Sequence, residues 1–543
     1  MVKMNNLVKP TKALKYSDIY LDFINGKDTV KTFYPAESLV DVASQLDSVH
    51  YDRRRLISVL TRQNREYSAS EKTFENIEKL KNESTVCLFS GQQAGLFGGA
   101  LLNVIKALAI VKASRLYSKQ LNRPVIPIFW IAGDDHDFEE VNHTFVLNNK
   151  AEPIKVSYDK PPLISNSTSE IIFSDSSELK KAKVSLKQVL GETDFTNDLY
   201  QMIDNTYTDQ DTFVSAFGKL MAALTSQYGL ILFSPGDKEA KRMAVDFFKT
   251  IVEKQDELHE YITDTNNHIK QLGYHLQVEK KENATHLFYN LNGRKPVLRE
   301  GDKFIVEDKM FTKDELLKCI EMHPEDFSPD VMTRPILQSY LFPVVGQKGG
   351  ASEIAYLAQI NKLFDLFGLV TPLYKARPSA TIVEKKYEKI IDEHKIEFED
   401  IIKDIEQVIN KILMETFPED IEMKFYKLRK HIESHFDDFK SATLKFDSSL
   451  ESFAHQTYGK IDYALKTFEG RVFSAHKKKS KETRERIYRL WHALYPHRNF
   501  QERSVNICYF LSKYGFSFID FLYNKIDCEQ KEHQLITLSE YDS

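Results

Sequence analysis

Two apolar runs of strand length, separated by an amphipathic segment, mark the first third of the chain. The runs occupy residues 86–89 and 125–131, and apolar residues between them recur at helical spacing. A loop with four glycines, residues 90–99, follows the first run, and a polar loop, residues 133–137, follows the second. This order predicts a βαβ unit. Because ligands of open parallel sheets bind beyond the carboxyl ends of the strands, we expect both loops to face one crevice.

Farther along the chain, the pattern predicts more strands and two insertions. An apolar run at residues 229–233 indicates a third strand, and the sheet is expected to resume near Thr333. Two segments fall outside this pattern and are interpreted as insertions, residues 150–185 and 240–330. Within the second insertion, an Asn-Gly pair at 292–293 predicts a hairpin turn.

From Ile382 onward, apolar residues follow spacings of three, four and seven. The first series is Tyr387, Ile391, His394, Phe398, Ile401, Ile405, Val408 and Ile412. The second series is Phe425, Ile432, Phe439, Phe446 and Phe453. Seams of this kind predict two helices that form an antiparallel coiled coil. The aromatic residues supply more apolar surface than one helix pair needs, so we expect a homodimer through the coiled coil.

These patterns divide the chain into three predicted parts. Residues 1–380 form an α/β core, residues 381–485 form the coiled coil, and residues 486–543 form a segment that docks on the core. A length of 543 residues suits two or three domains.

Composition and charge exclude several classes of protein. A hydrophobic fraction of 42% fits a folded protein, and a net charge of −5 gives no general reason to expect nucleic acid or acidic membranes as partners. We expect neither a signal peptide nor a membrane-spanning segment, because no apolar run has the required length. The four cysteines are scattered without a Cys-x-x-Cys pair. This indicates reduced thiols in a cytoplasmic protein and no zinc site.

The glycine-rich loop has two interpretations. Glycines let a backbone approach a phosphate, and the following helix would direct free N–H groups at it. The alternative is a turn in which glycines only permit tight packing between strand and helix. The spacing matches neither the dinucleotide fingerprint nor the P-loop. The candidate binding residues are Gly91, Gln92, Gln93, Gly95, Gly98, Gly99 and Lys106.

The polar loop carries the candidates for catalysis. Clustered carboxylates with an imidazole can ligate a metal, hold an amine, or act as acid and base. The alternative is a solvated helix N-terminus, where Asp is favoured as a cap. Because all four residues from Asp134 to Asp137 end a buried strand and face the glycine-rich loop, we expect a functional site there, and we interpret Asp134, His136 and Asp137 as catalytic.

Four charged or polar residues beyond the second insertion complete the predicted site. They are Arg334, Gln338, Glu353 and Arg377. Guanidinium groups bind carboxylates and phosphates through two parallel hydrogen bonds, which an enzyme that activates an acid requires. The alternative is that Arg334 and Glu353 form a structural salt bridge.

Several stretches of the chain together resemble a known family. They are Ser90-Gly-Gln-Gln-Ala-Gly-Leu96, residues 124–137 ending in Gly-Asp-Asp-His-Asp, and residues 331–338, 349–356 and 374–382, with a weaker stretch at 501–515. In order and spacing they resemble the cysteine ligase family of bacillithiol biosynthesis, BshC. The resemblance spans nearly the whole chain.

The resemblance implies a fold and an activity. It implies a Rossmann-like parallel-sheet core with inserted segments, related to class I aminoacyl-tRNA synthetases, plus the antiparallel coiled coil. The implied reaction joins L-cysteine to glucosaminyl-malate through an amide bond, with ATP or ADP as the nucleotide. The glycines would hold phosphate, and Asp134, His136 and Asp137 would orient the amino acid or the attacking amine.

The sequence also departs from the synthetase pattern. It contains no His-x-Gly-His motif, no Lys-Met-Ser-Lys-Ser motif and no Cys/His/Glu zinc set. Nucleotide use and cysteine selection are therefore implied by the family alone. Two alternatives stay open: a nucleotide-binding scaffold or regulatory protein that uses the coiled coil as its interaction surface, and an enzyme that binds a nucleotide for another transfer.

Overall fold

The computed structural model describes residues 6–162, 164, 167–539 and 541, and the chain forms two compact units. The larger unit combines Asn5–Lys385 with Pro496–Ser543, and the smaller contains Lys386–Tyr495. The return of the chain at Pro496 lies after a helix that runs to Leu494, so the predicted division at residue 485 falls inside that helix.

The described strands belong to the larger unit. They are β1 (Leu7–Val8), β2 (Val86–Gln92), β3 (Val125–Ile131), β4 (His143–Leu147), β5 (Pro153–Ser157), β6 (Ile231–Phe233), β7 (Ala284–Asn290), β8 (Arg294–Glu300), β9 (Lys303–Val306), β10 (Lys309–Thr312), β11 (Phe327–Pro329), β12 (Val344–Gly349), β13 (Leu373–Ala376), β14 (Ser379–Val383) and β15 (His533–Thr537).

The helices of the larger unit connect and cover these strands. They are α1 (Asp18–Ile24), α2 (Asp28–Lys31), α3 (Leu39–Leu46), α4 (Arg53–Glu66), α5 (Glu71–Lys79), α6 (Leu102–Leu121), α7 (Phe138–Val141), α8 (Ser176–Leu190), α9 (Thr196–Thr206), α10 (Phe213–Leu224), α11 (Lys238–Met243), α12 (Val245–Glu253), α13 (Gln255–Gln271), α14 (Lys313–Met322), α15 (Arg334–Leu341), α16 (Ala351–Leu357), α17 (Leu363–Leu366), α24 (Gln501–Ser504), α25 (Ile507–Tyr514) and α26 (Ser517–Lys525). Across the part of the chain that the structure describes, no helix combines the length and apolar character needed to cross a membrane.

A parallel five-stranded sheet forms the centre of the larger unit, in the order β13-β12-β2-β3-β6. This is the Rossmann-like order, and it confirms the predicted βαβ unit and third strand. Strand β2 lies in the middle. On one side of β2 lie β3 and then β6, in chain order. The chain then crosses to the other side of β2, where it forms β12 and then β13. The crevice between the carboxyl ends of β2 and β12 is therefore the topological switch point, where ligands of such sheets bind.

Helix α6 connects β2 to β3 in the predicted βαβ unit and packs against both strands. Residues 101–111 are buried without interruption, which fits a helix that is covered on all sides. Aromatic rings fill the core of this unit beside the sheet: the ring of Trp130 lies 4.9 Å from that of Phe233 and 6.4 Å from that of Phe89, measured between centroids. This packing fixes the ends of β2 and β3, which the glycine-rich loop and the polar loop follow.

The sheet resumes at β12 and not near Thr333. Residues 334–341 form α15 instead, because Pro335 lies in the first turn, where proline favours a helix start. The predicted second insertion contains a separate antiparallel sheet, in the order β10-β9-β8-β7-β11. Its first hairpin pairs Asn290 with Arg294 around Gly293, which has a φ of +100°. The predicted Asn-Gly turn is confirmed.

The smaller unit is helical. Its elements are α18 (Lys385–His394), α19 (Phe398–Lys403), α20 (Ile405–Glu415), α21 (Glu419–Phe446), α22 (Glu451–Lys479) and α23 (Lys481–Leu494). The first predicted coiled-coil helix is thus three short helices. The chain breaks at Lys395, which adopts a left-handed φ of +49°, and again at Asp404, whose carboxylate caps α20.

Helices α21 and α22 form the antiparallel coiled coil. Phe425 packs on Phe468 and Phe436 on Tyr458, with ring centroids 5.6 and 5.4 Å apart, so the two helices run in opposite directions. The predicted antiparallel coiled coil is confirmed. The two helices that pair are α21 and α22, however, and not one helix from each of the two apolar series. The second apolar series spans both helices, because the turn at residues 447–450 separates Phe446 from Phe453.

Candidate active site

A cavity of about 520 Å³ opens at the switch point of the parallel sheet. Its walls come from the ends of β2 and β3, the starts of α6, α15 and α16, and the inserted sheet. Its lining includes Gly91, Gln92, Gln93, Lys106, Trp130, Asp134, Asp135, His136, Glu140, Lys280, Phe288, Arg294, Asp330, Arg334, Glu353, Tyr356, Arg377 and Arg503. The expectation that the loops after β2 and β3 face one crevice is confirmed.

The rest of the glycine-rich loop turns away from this cavity. The N–H of Gly98 donates to the Tyr207 hydroxyl at 2.9 Å, and the N–H of Gly99 donates to the carbonyl of Leu96 at 3.0 Å. A Cβ on Gly95 would lie 2.8 Å from the Cα of Gly99. These glycines permit close packing, and their N–H groups are not free for a phosphate. The expectation that Gly95, Gly98 and Gly99 hold phosphate is therefore corrected.

Lys106 connects the two sides of the switch point. Its ammonium donates to the carbonyl of Gly91, to Oε1 of Gln92 and to Oε2 of Glu353, each at 2.8 Å. Burial lowers the pKa of Lys106, and the adjacent Glu353 carboxylate opposes that shift. Because an ammonium has three N–H groups, all of them are used within the protein. Lys106 therefore positions β2 and α16 in this structure and has no donor left for a nucleotide.

Glu353 belongs to the same network. Its Oε2 also accepts the N–H of Gly350 at 2.8 Å. Burial raises the pKa of Glu353, but Lys106, that N–H and Arg334 outweigh burial and hold the pKa below its usual value. The predicted alternative of an Arg334–Glu353 salt bridge does not occur among the described residues, since Lys106 takes that place.

Arginine side chains form a cationic wall beside this network. Arg334 donates to the hydroxyl of Tyr356, and Arg377 donates to Oε1 of the buried Glu502 at 2.8 Å. The Nε atoms of both arginines are buried and have no hydrogen-bond partner in the described part of the chain. Arg503 lines the same wall. Buried donors without acceptors indicate a place for an anionic ligand, since such groups are normally bonded.

Gln338 lies apart from that wall. It follows Arg334 by one turn of α15, its side chain is buried, and it does not line the cavity. Its Oε1 has no hydrogen-bond partner among the described residues. The structure thus brings Arg334, Glu353 and Arg377 together at the cavity but not Gln338.

Carboxylates form a second part of the cavity lining, the carboxylate wall. The amide of Gln93 donates to Oδ2 of Asp135 at 2.8 Å and to Oε2 of Glu140 at 2.6 Å. Burial raises the pKa of Asp135, but Gln93, Arg294 and two backbone N–H groups outweigh burial and hold that pKa below its usual value, so the carboxylate stays ionised. Burial raises the pKa of Glu140 above its usual value. The paired carboxylates can bind an amine, and Glu140 can accept its proton.

Two of the three predicted catalytic residues have structural partners. Both oxygens of Asp134 accept from the buried ammonium of Lys241 at 2.9 Å. Asp137 is exposed, caps α7 by accepting the N–H of Glu140 at 3.2 Å, and does not line the cavity. The helix-cap alternative therefore describes Asp137, and that part of the predicted catalytic set is corrected. His136 lines the cavity, with its ring half-exposed.

The family of the chain follows from comparison with known sequences. The family model described as "Bacillithiol biosynthesis BshC, N-terminal Rossmann-like domain" matches residues 3–378. A second, "Bacillithiol biosynthesis BshC, C-terminal coiled-coil domain", matches residues 380–538. The chain belongs to the BshC family. Both models describe the architecture seen here, a Rossmann-like sheet and a coiled coil.

Similar proteins extend over almost the full length of the chain. Proteins named "Putative cysteine ligase BshC" from Bacillus thuringiensis (strain Al Hakam) and Bacillus cereus (strain 03BB102) are each 30% identical over 529 residues, covering 96% of this chain and 98% of the relative. A solved structure titled as a putative arginyl tRNA synthetase from Campylobacter jejuni is 10% identical, with a TM-score of 0.22, over 87% of this chain and 99% of that one. A likeness of that strength carries no argument.

Several cavity residues of this BshC family member were not assigned a role from sequence. Asp135 and Glu140 lie beside the predicted catalytic residues, and the rule that carboxylates cluster at strand ends applies equally to them. Arg294 and Arg503 reach the cavity from the inserted sheet and from α24. No local pattern marks these two, because their proximity to β2 and β3 is set by tertiary packing.

The side chains of the cavity suit organic anions and amines. Within the described ranges, no group of three or more His, Cys, Asp or Glu side chains is arranged to hold a metal ion. The cationic wall fits either a phosphate or a carboxylate, because guanidinium forms paired hydrogen bonds with both. The cavity thus has one wall for an anion and one for an amine.

Proposed function

We propose that the chain is a ligase that forms an amide bond between the carboxyl group of L-cysteine and the amine of glucosaminyl-malate, the last step of bacillithiol biosynthesis. The observation that carries the proposal is the division of the cavity into a cationic wall and a carboxylate wall. Both substrates carry carboxylates, and each carries an amine. The name of the relatives, cysteine ligase, agrees with this chemistry.

The cationic wall binds the carboxylates of the substrates. Arg334 and Arg377 each present a buried Nε without a partner in the described chain, and Arg503 adds a third guanidinium. Malate contributes two carboxylates, which these groups can hold through charge-assisted hydrogen bonds. Held in this way, glucosaminyl-malate directs its amine away from the cations.

The carboxylate wall prepares the amine for attack. An ammonium has no lone pair, so the amine must transfer a proton before it can form a bond to the acyl carbon. Asp135 and Glu140 are the carboxylate bases at this wall, and His136 lies beside them. A base within hydrogen-bond reach of the attacking group accelerates such a step by roughly 10² to 10⁴-fold.

The proposal includes ATP as the nucleotide. When bound, ATP would convert the cysteine carboxylate into an activated acyl group with a good leaving group. Arg334, Arg377 and Arg503 would hold its phosphates in the activation step, before the carboxylates of malate occupy the same guanidinium groups. We also place the reaction in the cytoplasm, where the four unpaired cysteines of the chain stay reduced.

The exposed aromatic surface of the coiled coil supports a homodimer. Phe439, Phe446 and Phe453 are 68, 89 and 67% exposed. Several large aromatic side chains exposed on one pair of helices suit a surface that another protein covers. We propose that a second copy of the chain covers these residues.

Mass spectrometry of the complete reaction tests the proposed function. Purified protein is incubated with cysteine, glucosaminyl-malate and ATP, and parallel reactions omit ATP or replace cysteine with serine. We expect the mass of the cysteinyl amide only in the complete reaction, together with AMP or ADP, which identifies the bond cleaved in ATP. Absence of the amide with protein that is folded and binds glucosaminyl-malate would contradict the proposal.

A further inference from the structure

The inserted sheet places a fixed cation against His136. Nη1 of Arg294 lies 3.3 Å from Nδ1 of His136, Nε donates to the hydroxyl of Ser328 at 2.9 Å, and Nη2 donates to the carbonyl of Pro329 at 2.9 Å. The guanidinium carbon lies 3.7 Å from the centre of the Phe288 ring. Hydrogen bonds on three nitrogens and a ring beneath leave the guanidinium little freedom to turn.

This contact determines which nitrogen of His136 carries the proton. A guanidinium has N–H donors only, so the atom that faces it must offer a lone pair. Nδ1 is therefore the unprotonated nitrogen, and the single N–H of the neutral ring lies on Nε2. Oδ1 of Asp135 is 3.7 Å from Nδ1, beyond hydrogen-bond distance, and it accepts the backbone N–H of His136 instead.

We propose that Arg294 is a positioning residue that keeps His136 neutral with its proton on Nε2, so that His136 donates a hydrogen bond to the substrate and does not accept the proton of the amine. The inference deepens the proposed function, on which it rests, by dividing the roles of the groups at the carboxylate wall. It assigns a catalytic task to the inserted sheet, since Arg294 begins β8.

The charges around His136 favour this state. Burial lowers the pKa of His136, and Arg294 lowers it further. Asp135 and Asp137 raise it, and Lys295 lowers it by the smallest contribution. The net shift is downward, so the ring is neutral at neutral pH. Protonation at Nδ1 would also place an N–H against a guanidinium N–H.

A neutral donor at this position serves the oxygen of the acyl group. When an amine attacks an acyl carbon, its carbonyl oxygen gains negative charge, and a fixed N–H directed at that oxygen stabilises the transition state. The proton of the amine then passes to a carboxylate, and Glu140 is suited because burial raises its pKa. His136 thus stabilises the acyl oxygen and Glu140 accepts the proton, two tasks that a single histidine would otherwise perform.

Nitrogen NMR of the His136 ring tests the proposal directly. Protein labelled with ¹⁵N-histidine is titrated, and the His136 signals are assigned by their loss in His136→Gln. We expect wild-type protein at pH 7 to show the tautomer with the proton on Nε2. In Arg294→Met we expect a mixture of tautomers and a higher pKa for His136. Wild-type protein with the proton on Nδ1 would overturn the proposal, whether or not Arg294→Met folds.

The pH dependence of kcat/KM gives a second readout and a matched control. Lys295→Met also removes one positive charge, but Lys295 pairs with Glu307 at 2.6 Å and, among the described residues, forms no hydrogen bond or ion pair with His136. If Arg294 acts through the hydrogen bond, Arg294→Met moves the acidic limb to higher pH and Lys295→Met moves it much less. Equal shifts of the acidic limb in the two variants would overturn the proposal. So would an Arg294→Met protein with a lower melting temperature and an acidic limb at the wild-type pH. The tautomer can be measured without turnover, so a missing ligase activity would count against the proposed function alone.

Discussion

The polar residues of the cavity differ in whether their hydrogen-bonding groups are already used. Lys106 and Asp134 are fully engaged, through Glu353 and Lys241 respectively. His136 has one side-chain contact below 3.5 Å among the described residues, and its other ring nitrogen is free to act on a ligand. A residue such as His136, with a ring nitrogen left unbonded, contributes to chemistry more than to stability, because little of the fold depends on it.

A substitution at His136 separates these two contributions. We expect His136→Asn to leave the melting temperature nearly unchanged, since the ring is half-exposed, and to lower kcat by roughly 10² to 10³-fold, as removal of an oxyanion donor does. Thermal unfolding and the rate of amide formation are measured on the same preparation. A less stable protein with full activity per folded molecule would show that His136 serves the fold.

The main secondary-structure elements could be predicted where the local pattern was strong. The βαβ unit and the hairpin at Gly293 follow from apolar runs and turn residues. The break in the first coiled-coil helix was missed because its apolar spacing continues through Lys395, although Asp404 is a typical helix cap. The packing role of Gly95 was not decidable from sequence, since close approach and phosphate binding both require glycine.

The C-terminal segment is joined to the sheet by an ion cluster whose strength should depend on pH. Glu529 accepts from Lys348 of β12 at 2.7 Å, from Lys375 of β13 at 2.6 Å and from Tyr117 of α6 at 2.6 Å. Burial raises the pKa of Glu529, but Lys348, Lys375 and Tyr117 outweigh burial and lower it to about 2. A carboxyl group with a lowered folded pKa stabilises the protein above its unfolded pKa and loses that contribution as pH falls toward the folded value.

We therefore expect Glu529→Gln to lower the free energy of unfolding at pH 7 and to reduce its decline between about pH 5 and pH 3. Urea unfolding at several pH values measures both effects. Glu532→Gln is the matched control, because Glu532 lies in the same segment and forms no ion pair among the described residues. The same pH dependence in Glu529→Gln and in wild-type protein would contradict the role of the cluster.

Across the whole molecule, the contacts that assemble the cavity join residues far apart in sequence. Arg294 meets His136 across 158 positions, and Arg377 meets Glu502 across 125. Periodicity and turn signals describe neighbours along the chain, so they predicted the loops after β2 and β3 but not the partners brought by the inserted sheet and α24. The homodimer is also a property of the whole molecule, and it stays a prediction.

Sedimentation tests the homodimer. We expect wild-type protein to sediment as a dimer at micromolar concentration and Phe439→Glu to shift the equilibrium toward monomer, because a charge would be buried in an apolar interface. Lys440→Glu, at the next position of α21, is a control for the change in charge. A wild-type monomer, or a dimer unaffected by Phe439→Glu, would argue against an interface on this surface.

The rate of amide formation in Glu140→Gln, beside Glu139→Gln, tests most directly whether this cavity is where the bond forms. Glu140 lines the cavity and is the proposed proton acceptor, whereas Glu139 lies on the same short helix and does not line it. Glutamine keeps the size of either side chain and removes its basicity. We predict that Glu140→Gln lowers kcat by roughly 10² to 10⁴-fold and that Glu139→Gln leaves it unchanged. A folded Glu140→Gln protein with the wild-type rate would contradict the proposed reaction at this site.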